Sequence, residues 1–336
     1  MPDNNTTWLA AHLYYAEPWE TFLTEAVLPF ANQMREEQLA GQFFFIRYWE
    51  NGPHIRLRFH GESSLLERVV KYKLLSHFRS YFQQHPSQRP EPAWLAQLPE
   101  DQVWYPNNSV QFIPYEPEVD RYGGARGITV AEQLFFSSSQ VILDAIAQSP
   151  EWNYQRALGV GVQLHLAMLY QLGLSREEAG EYFQLVFRHW LPRAYYHPGE
   201  KVGTEALQQR QDEVLKAFAR SYDRQKLQII NIISTLWEGL EQGVAFNQPW
   251  FQQWINDMRQ IKKQIDQAQR EQRLVPPSHH SFDSSLSVPD DHRILWTIYE
   301  SYVHMTNNRL GILNRDEGYL GYLLIRALRE LQLQPT

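Results

Sequence analysis

Residues 43–60, FFFIRYWENGPHIRLRFH, alternate in character on either side of an Asn51-Gly52 pair, and this commits them to a β-hairpin with two opposed faces. Alternation puts Phe44, Ile46, Tyr48, Ile55, Leu57 and Phe59 on an apolar face, and Arg47, Trp49, His54, Arg56, Arg58 and His60 on a cationic one. With Asn51-Gly52 as a two-residue turn, the favoured hairpin connection, Trp49 faces His54, Arg47 faces Arg56 and Phe45 faces Arg58. Arginine opposite arginine destabilises an antiparallel pair, so this face calls for an anion. That anion can be a ligand, or a carboxylate from another segment with water completing the shell.

Around the hairpin the chain reads as α+β. A strand is expected over 8–15, a helix over 18–38, a second helix over 65–82 capped by Ser63 or Ser64, and a further strand over 110–115. The segment PYEPEVDRYGG, 114–124, carries two prolines and two glycines and reads as an irregular loop presenting side chains from a rigid scaffold. Helices follow at about 129–148, 153–173, 176–191, 204–221, 223–242, 248–272 and 292–310, with a last one from 314. Ser175 with Glu178, and Asn314 with Glu317, have capping-box spacing. The expected architecture is an N-terminal antiparallel or mixed sheet with flanking helices over 1–127, then a mainly helical part over 128–336, within a single domain.

Composition excludes several chemistries. The chain has no cysteine among its 336 residues, so disulfides, thiolate metal sites and cysteine nucleophiles are ruled out. Thirty-one basic against 38 acidic residues give −7, which argues against general nucleic-acid affinity. The absence of a signal-like N-terminus and of a long apolar run points to a cytoplasmic protein that does not span a membrane. No HExxH and no Gly-rich phosphate loop occurs, and no cofactor or metal is expected. His279-His280, in a Pro/Ser-rich stretch, reads as solvated rather than as a metal site.

Two further places carry chemistry-bearing side chains. On the 292–310 helix, Ile294, Ile298, Tyr302 and Met305 make an apolar stripe, while Thr297, Ser301, His304, Asn308 and Gly311 lie along another side. Glu118 and Arg121 sit in the 114–124 loop, where a local ion pair is the simplest reading. Arginines on a sheet, a Glu/Arg loop and a helix histidine together suit carboxylate binding beside a proton transfer.

Three segments, FFFIRYWENGPHIRLRF, YEPEVDRYGG and YVHMTNNRLG, in that order, resemble the signatures of the C-terminal, glutamate-eliminating domain of class I lantibiotic dehydratases, a domain type also found free-standing in thiopeptide-type bacteriocin biosynthesis. The resemblance, which takes in AEQLFF after the glycine pair, spans nearly the whole chain. It implies a lyase that expels glutamate from glutamylated Ser or Thr of a ribosomally made precursor peptide, leaving dehydroalanine or dehydrobutyrine. The family's elimination residues correspond to Arg56, Arg58, Glu118, Arg121 and His304. The three arginines would bind the glutamyl group and stabilise developing negative charge, and His304 would move a proton. Arg47, Asn308 and Arg309 are carried as substrate-binding positions, with an alternative structural reading for each: Arg47 as the partner of an acid elsewhere, Asn308 and Arg309 as framework of the motif.

The chain departs from the family pattern at Ser137-Ser138-Ser139, where an acidic residue often precedes a serine. No segment resembles the large glutamylating domain, so the resemblance implies a separate glutamylating partner and no direct nucleic-acid contact. A homodimer is the self-association considered. Two rival readings stay open: a thiopeptide pyridine synthase, which joins two dehydroalanines by formal [4+2] cycloaddition with loss of the leader peptide, and a non-catalytic scaffold that binds a precursor peptide by strand addition.

Overall fold

The structure, a computed structural model, describes residues 5–90, 102–196, 199–278 and 290–333. The chain packs as two compact units, Met1–Pro117 with Phe135–Trp152, and Glu118–Leu134 with Asn153–Thr336. The architecture is α+β, as the sequence pattern implies.

The first unit is built on a four-stranded antiparallel sheet in the order β2-β3-β1-β4, with β1 at Thr6–Tyr14, β2 at Gln42–Tyr48, β3 at His54–Glu62 and β4 at Ser109–Gln111. One face carries Leu9, Ala11 and Leu13 of β1, Ile55, Leu57 and Phe59 of β3, and Phe43 and Phe45 of β2, all buried. Two helices, 20–36 and 63–84, each interrupted by a π turn, supply its cover; Phe30 stands 5.6 Å from Phe59 and 5.5 Å from Phe78. Burying an aromatic ring of this size is worth roughly 2–3 kcal/mol, so this layer is the unit's main source of stability. The cap of the second helix is Glu62 rather than Ser63 or Ser64: its carboxylate accepts from the N–H groups of Ser64 and Leu65. A carboxylate at that place also meets the positive end of the helix.

The hairpin register differs from the expectation by one residue. Tyr48 pairs with His54, so Trp49, Glu50, Asn51, Gly52 and Pro53 form an odd-numbered connection instead of a two-residue turn. Asn51 and Gly52 do take positive φ, 58° and 103°, as their sequence suggests. Because side chains alternate with period two, the slip moves every β2 residue to the other face. Phe44, Ile46 and Tyr48 therefore join His54, Arg56 and Arg58, whereas Arg47 pairs with Ile55 on the helix-covered face. Arginine does not face arginine: Ile46 lies opposite Arg56, and Phe44 opposite Arg58. The strand expected over 110–115 is limited to Ser109–Gln111, paired only with His12–Tyr14 at the edge of β1.

The exposed edge of β2 is covered by the later turns of the Gly124–Ala147 helix. Phe136 lies 5.8 Å from Phe43, and the Ser139 hydroxyl accepts the Phe45 N–H at 3.2 Å. The Ser137-Ser138-Ser139 departure thus has a structural use: a hydroxyl satisfies a backbone donor that an edge strand would otherwise leave open.

The second unit contains helices Tyr154–Gln171, Arg176–Trp190, Thr204–Glu241, Pro249–Arg270, Asp290–Leu310 and Asn314–Leu333. The two helices expected over 204–221 and 223–242 are one helix of 38 residues, since no proline or glycine occurs before Gly239 to stop it. The Ser175–Glu178 capping box is present in both directions. Gly318 and Gly321 let the last helix lie against Leu191 and Phe187; a Cβ on either would stand 3.1–3.2 Å from their Cα atoms. This close approach is part of what fixes the adjacent Glu317 in the interior. Among the described residues no helix is long and apolar enough to cross a membrane.

Candidate functional site

In the first unit the cationic face is organised by rings. The His54 Nδ1–H donates to the Gly52 carbonyl at 2.7 Å, which leaves Nε2 to accept from Arg56 Nε at 3.2 Å. The Arg56 guanidinium lies over the Tyr48 ring, 3.4 Å from its centroid, with Glu50 at 4.0 Å. Arg58 stands over Tyr115 at 4.3 Å and Phe44 at 5.0 Å. Ring faces therefore supply part of the negative potential that the sequence argument assigned to an anion. His12, directly across from Arg56, stacks on His54 at 4.9 Å. Burial, then His54 and the two arginines, holds His12 down at about 3; burial, then the two arginines, holds His54 at about 4. Both imidazoles are neutral near pH 7, so the arginines carry the charge of this face.

Arg47 is on the opposite face, 4 % exposed, with NH1 2.8 Å from Glu20. The acid from another segment is thus Glu20, and the juxtaposition of Arg47 with Arg56 is corrected by the register. Arg309 is wholly buried and donates to the Met305 carbonyl at 2.8 Å. Both side chains are turned to the interior, as in the structural reading of each. Asn308 is half-buried, and its carbonyl accepts the Gly311 N–H at the end of its helix.

The second unit brings Glu118, Arg121 and His304 into one neighbourhood. The loop that carries Arg121 is tied at both sides: Asp120 accepts from the N–H and hydroxyl of Ser278, at 3.1 and 2.6 Å, and the Gly123 carbonyl accepts from the Val275 N–H. Arg121 Nε donates to the Ser301 hydroxyl at 2.9 Å, and NH1 lies 3.6 Å from Glu118. Ser301 precedes His304 by three residues, so one helix face fixes both groups.

His304 is held on two sides. Its Nδ1 is 2.8 Å from Oε1 of Glu317, and its ring stacks on Trp190 at 4.6 Å with 18° between planes. Trp190 in turn donates its indole N–H to Glu300 at 2.8 Å. Burial alone would lower the His304 pKa, but Glu317 and Glu300 outweigh both burial and the opposing charge of Arg121, and the net direction is upward. Burial raises Glu317 as well, against the stabilising contacts from His304 and Asn307. The Glu317 carboxylate also accepts from Asn307 Nδ2 at 3.0 Å, and Asn307 Oδ1 accepts from His165 Nε2 at 2.7 Å.

Sequence reasoning missed this support. Glu317, read as a helix-capping residue, turns its carboxylate inward to His304 instead. His165 was legible only as a single imidazole in the apolar run 160–169, and Trp190 carried no signal beyond its size. Glu300 lies beside the polar stripe to which Ser301 belongs, and both are 2 % exposed. Among the described residues no cluster of three His, Asp or Glu side chains is placed to hold a metal ion, and His279-His280 lie outside them. A groove of about 280 Å³ elsewhere in this unit is lined by glutamines, aliphatic residues and Tyr319, with no acid, base or cation to do chemistry.

The fold is α+β, and the comparisons define the family. Residues 8–328 match the family described as "Lantibiotic biosynthesis dehydratase C-term", and the chain belongs to it. The chain is 32% identical over 136 residues to the subtilin biosynthesis protein SpaB of Bacillus subtilis; the match covers 40% of this chain and 11% of SpaB. Among solved structures it shares its fold with TbtD, the pyridine synthase from thiomuracin biosynthesis, at a TM-score of 0.70 and 17% identity over 96% of this chain and 98% of TbtD. TsrL gives 0.65 at 18% identity, over 97% and 95% of the two chains. The tRNA-dependent lantibiotic dehydratase MibB from Microbispora sp. 107891 gives 0.58 at 17% identity, over 99% of this chain but 29% of MibB.

Proposed function

We propose that the protein removes glutamate from glutamylated Ser or Thr residues of a precursor peptide by β-elimination, after a separate partner has glutamylated them. Family membership supports the peptide chemistry. The observation that carries the specific reaction is the retention of the whole residue set Arg56, Arg58, Glu118, Arg121 and His304 in the family's three signature segments. In this reading the arginines of the set bind the glutamyl group and meet the negative charge that develops as it leaves. Glu118, 3.6 Å from Arg121, orients that guanidinium, and His304 is the proton-transfer residue.

A second reading, pyridine synthesis by [4+2] cycloaddition, draws on the near end-to-end fold likeness to TbtD, a pyridine synthase. One assay separates them. Purified protein is given a glutamylated precursor peptide and, separately, a dehydroalanine-rich peptide, and masses are followed. The eliminase releases one glutamate per dehydro residue formed; the synthase leaves the first substrate unchanged and yields a macrocycle and free leader from the second. Binding without either product supports a scaffold. His304→Ala or Arg58→Ala should slow glutamate release by about 10²-fold or more with circular dichroism unchanged. Release at the wild-type rate in both variants would remove the site assignment.

A further inference from the structure

We propose that Glu317 is a positioning residue that makes Nε2 of His304 the base of the elimination, an inference that rests on the function proposed above. The geometry is a hydrogen-bonded chain across three helices: His304 Nδ1 to Glu317 at 2.8 Å, Glu317 to Asn307 at 3.0 Å, and Asn307 to His165 at 2.7 Å. Its inner members are sealed, with Glu317 and Asn307 each 1% exposed and His165 wholly buried.

The directions of these bonds are fixed by chemistry. A carboxylate only accepts, so Glu317 takes a proton-bearing nitrogen from both neighbours. Asn307 presents its NH2 to Glu317 and its carbonyl to His165, so His165 carries its proton on Nε2. Burial, partly offset by Asn307, holds His165 at about 4, so it is a neutral anchor and no competing charge. His304 then carries a proton on Nδ1 whenever it is neutral, and the lone pair is on Nε2. Stacking on Trp190 restricts rotation of the ring, so that lone pair keeps one direction.

The reaction needs a base more than an acid. A glutamate carboxylate, with an ordinary pKa of about 4.3, departs as an anion without being protonated. The peptide Cα–H is far less acidic and must be taken by a base. The proton moves from Cα to Nε2, the C–H electron pair becomes the Cα=Cβ bond, and the Cβ–O bond breaks with its pair left on the departing carboxylate. Glu317 then faces an imidazolium, and the ion pair stabilises the state formed by proton transfer.

The charged and titratable groups around His304 are Glu317 on the last helix, Glu300 on its own helix, Arg121 on the 118–124 loop, and His189, 3.9 Å from Glu300. Burial lowers His304, but the two carboxylates outweigh both it and the cation, so the acid limb of the rate profile should lie above the 6.5 of an ordinary histidine.

The test uses the full chain, Glu317→Gln and Glu317→Asp, with 15N-histidine NMR titration beside kinetics on glutamylated peptide. Glu317→Gln is expected to lower kcat at least tenfold with KM within twofold, to move the acid limb to lower pH, and to lower the His304 titration midpoint. Glu317→Asp should regain part of each, and a well-dispersed spectrum certifies the fold. Wild-type kcat in Glu317→Gln, or an unmoved His304 titration, overturns the positioning role. A wild-type protein that releases no glutamate overturns the function and the base role together, and this failure is distinct because the titration is read without substrate.

Discussion

The Arg47–Glu20 pair gives a sharp test of the sheet register, because the two partners are unequally buried. The Arg47 side chain is 5% exposed and that of Glu20 32%, with 2.8 Å between them. Removing one partner of a buried pair costs about 3–5 kcal/mol when the other charge is left stranded. Glu20→Gln removes a carboxylate partner of Arg47 on an apolar face beside Phe45 and Ile55; Glu17 nearby retains some of the compensation. We therefore expect a loss of about 2 kcal/mol, reduced from the buried-pair range because water reaches Glu20. Arg47→Met strands only Glu20, which can hydrate, and it adds an apolar side chain where apolar neighbours surround it. Its cost should be below about 1 kcal/mol, and the double variant should resemble Arg47→Met alone. Urea unfolding followed by tryptophan fluorescence reads the difference, since Trp19 lies beside the pair and 5.3 Å from Trp49. With a slope of about 2–3 kcal/mol per molar urea, Glu20→Gln should lower the midpoint by roughly 0.7–1 M. If Arg47→Met proves the more damaging change, the face assignment is wrong. The two-residue-turn register would instead leave Glu20→Gln without effect, with relief of charge repulsion on removing Arg47.

Two other outcomes follow from the structure. His12 and His54 are held below 6.5 in the folded first unit, at about 3 and about 4, so unfolding takes up protons between those values and 6.5. Their contribution is full above pH 6.5 and is lost as the pH falls, at up to about 2.7 kcal/mol per pH unit where two protons are bound on unfolding. Urea midpoints of the first unit at pH 7, 5.5 and 4.5 should fall in that order, and a flat profile would show that these imidazoles are not desolvated as described. Gly127→Ala should destabilise the second unit by about 3 kcal/mol or more, because its Cβ would collide with the Tyr122 carbonyl oxygen, which is backbone and cannot turn aside. Thermal unfolding measures it, and a melting temperature within a degree of wild type would show that the 118–124 loop is looser than its ties imply.

Alternation, helical spacing and turn residues determined which segments are strands and helices, and the three signature segments pointed to the family and to five candidate residues. These signals are local, so one sequence suffices to read them. The same locality explains the misreadings. Asn51-Gly52 fixed where the chain turns but not how many residues the turn contains, and one residue decided which face Arg47 shares. Spacing made Glu317 look like a cap, whereas close packing through Gly318 and Gly321 turned it inward to His304, thirteen residues away in the chain. Stranding a carboxylate, two imidazoles and an amide in an interior is tolerable only when each finds its partner there. That pairing is a property of three helices packed together, and no one of them encodes it alone.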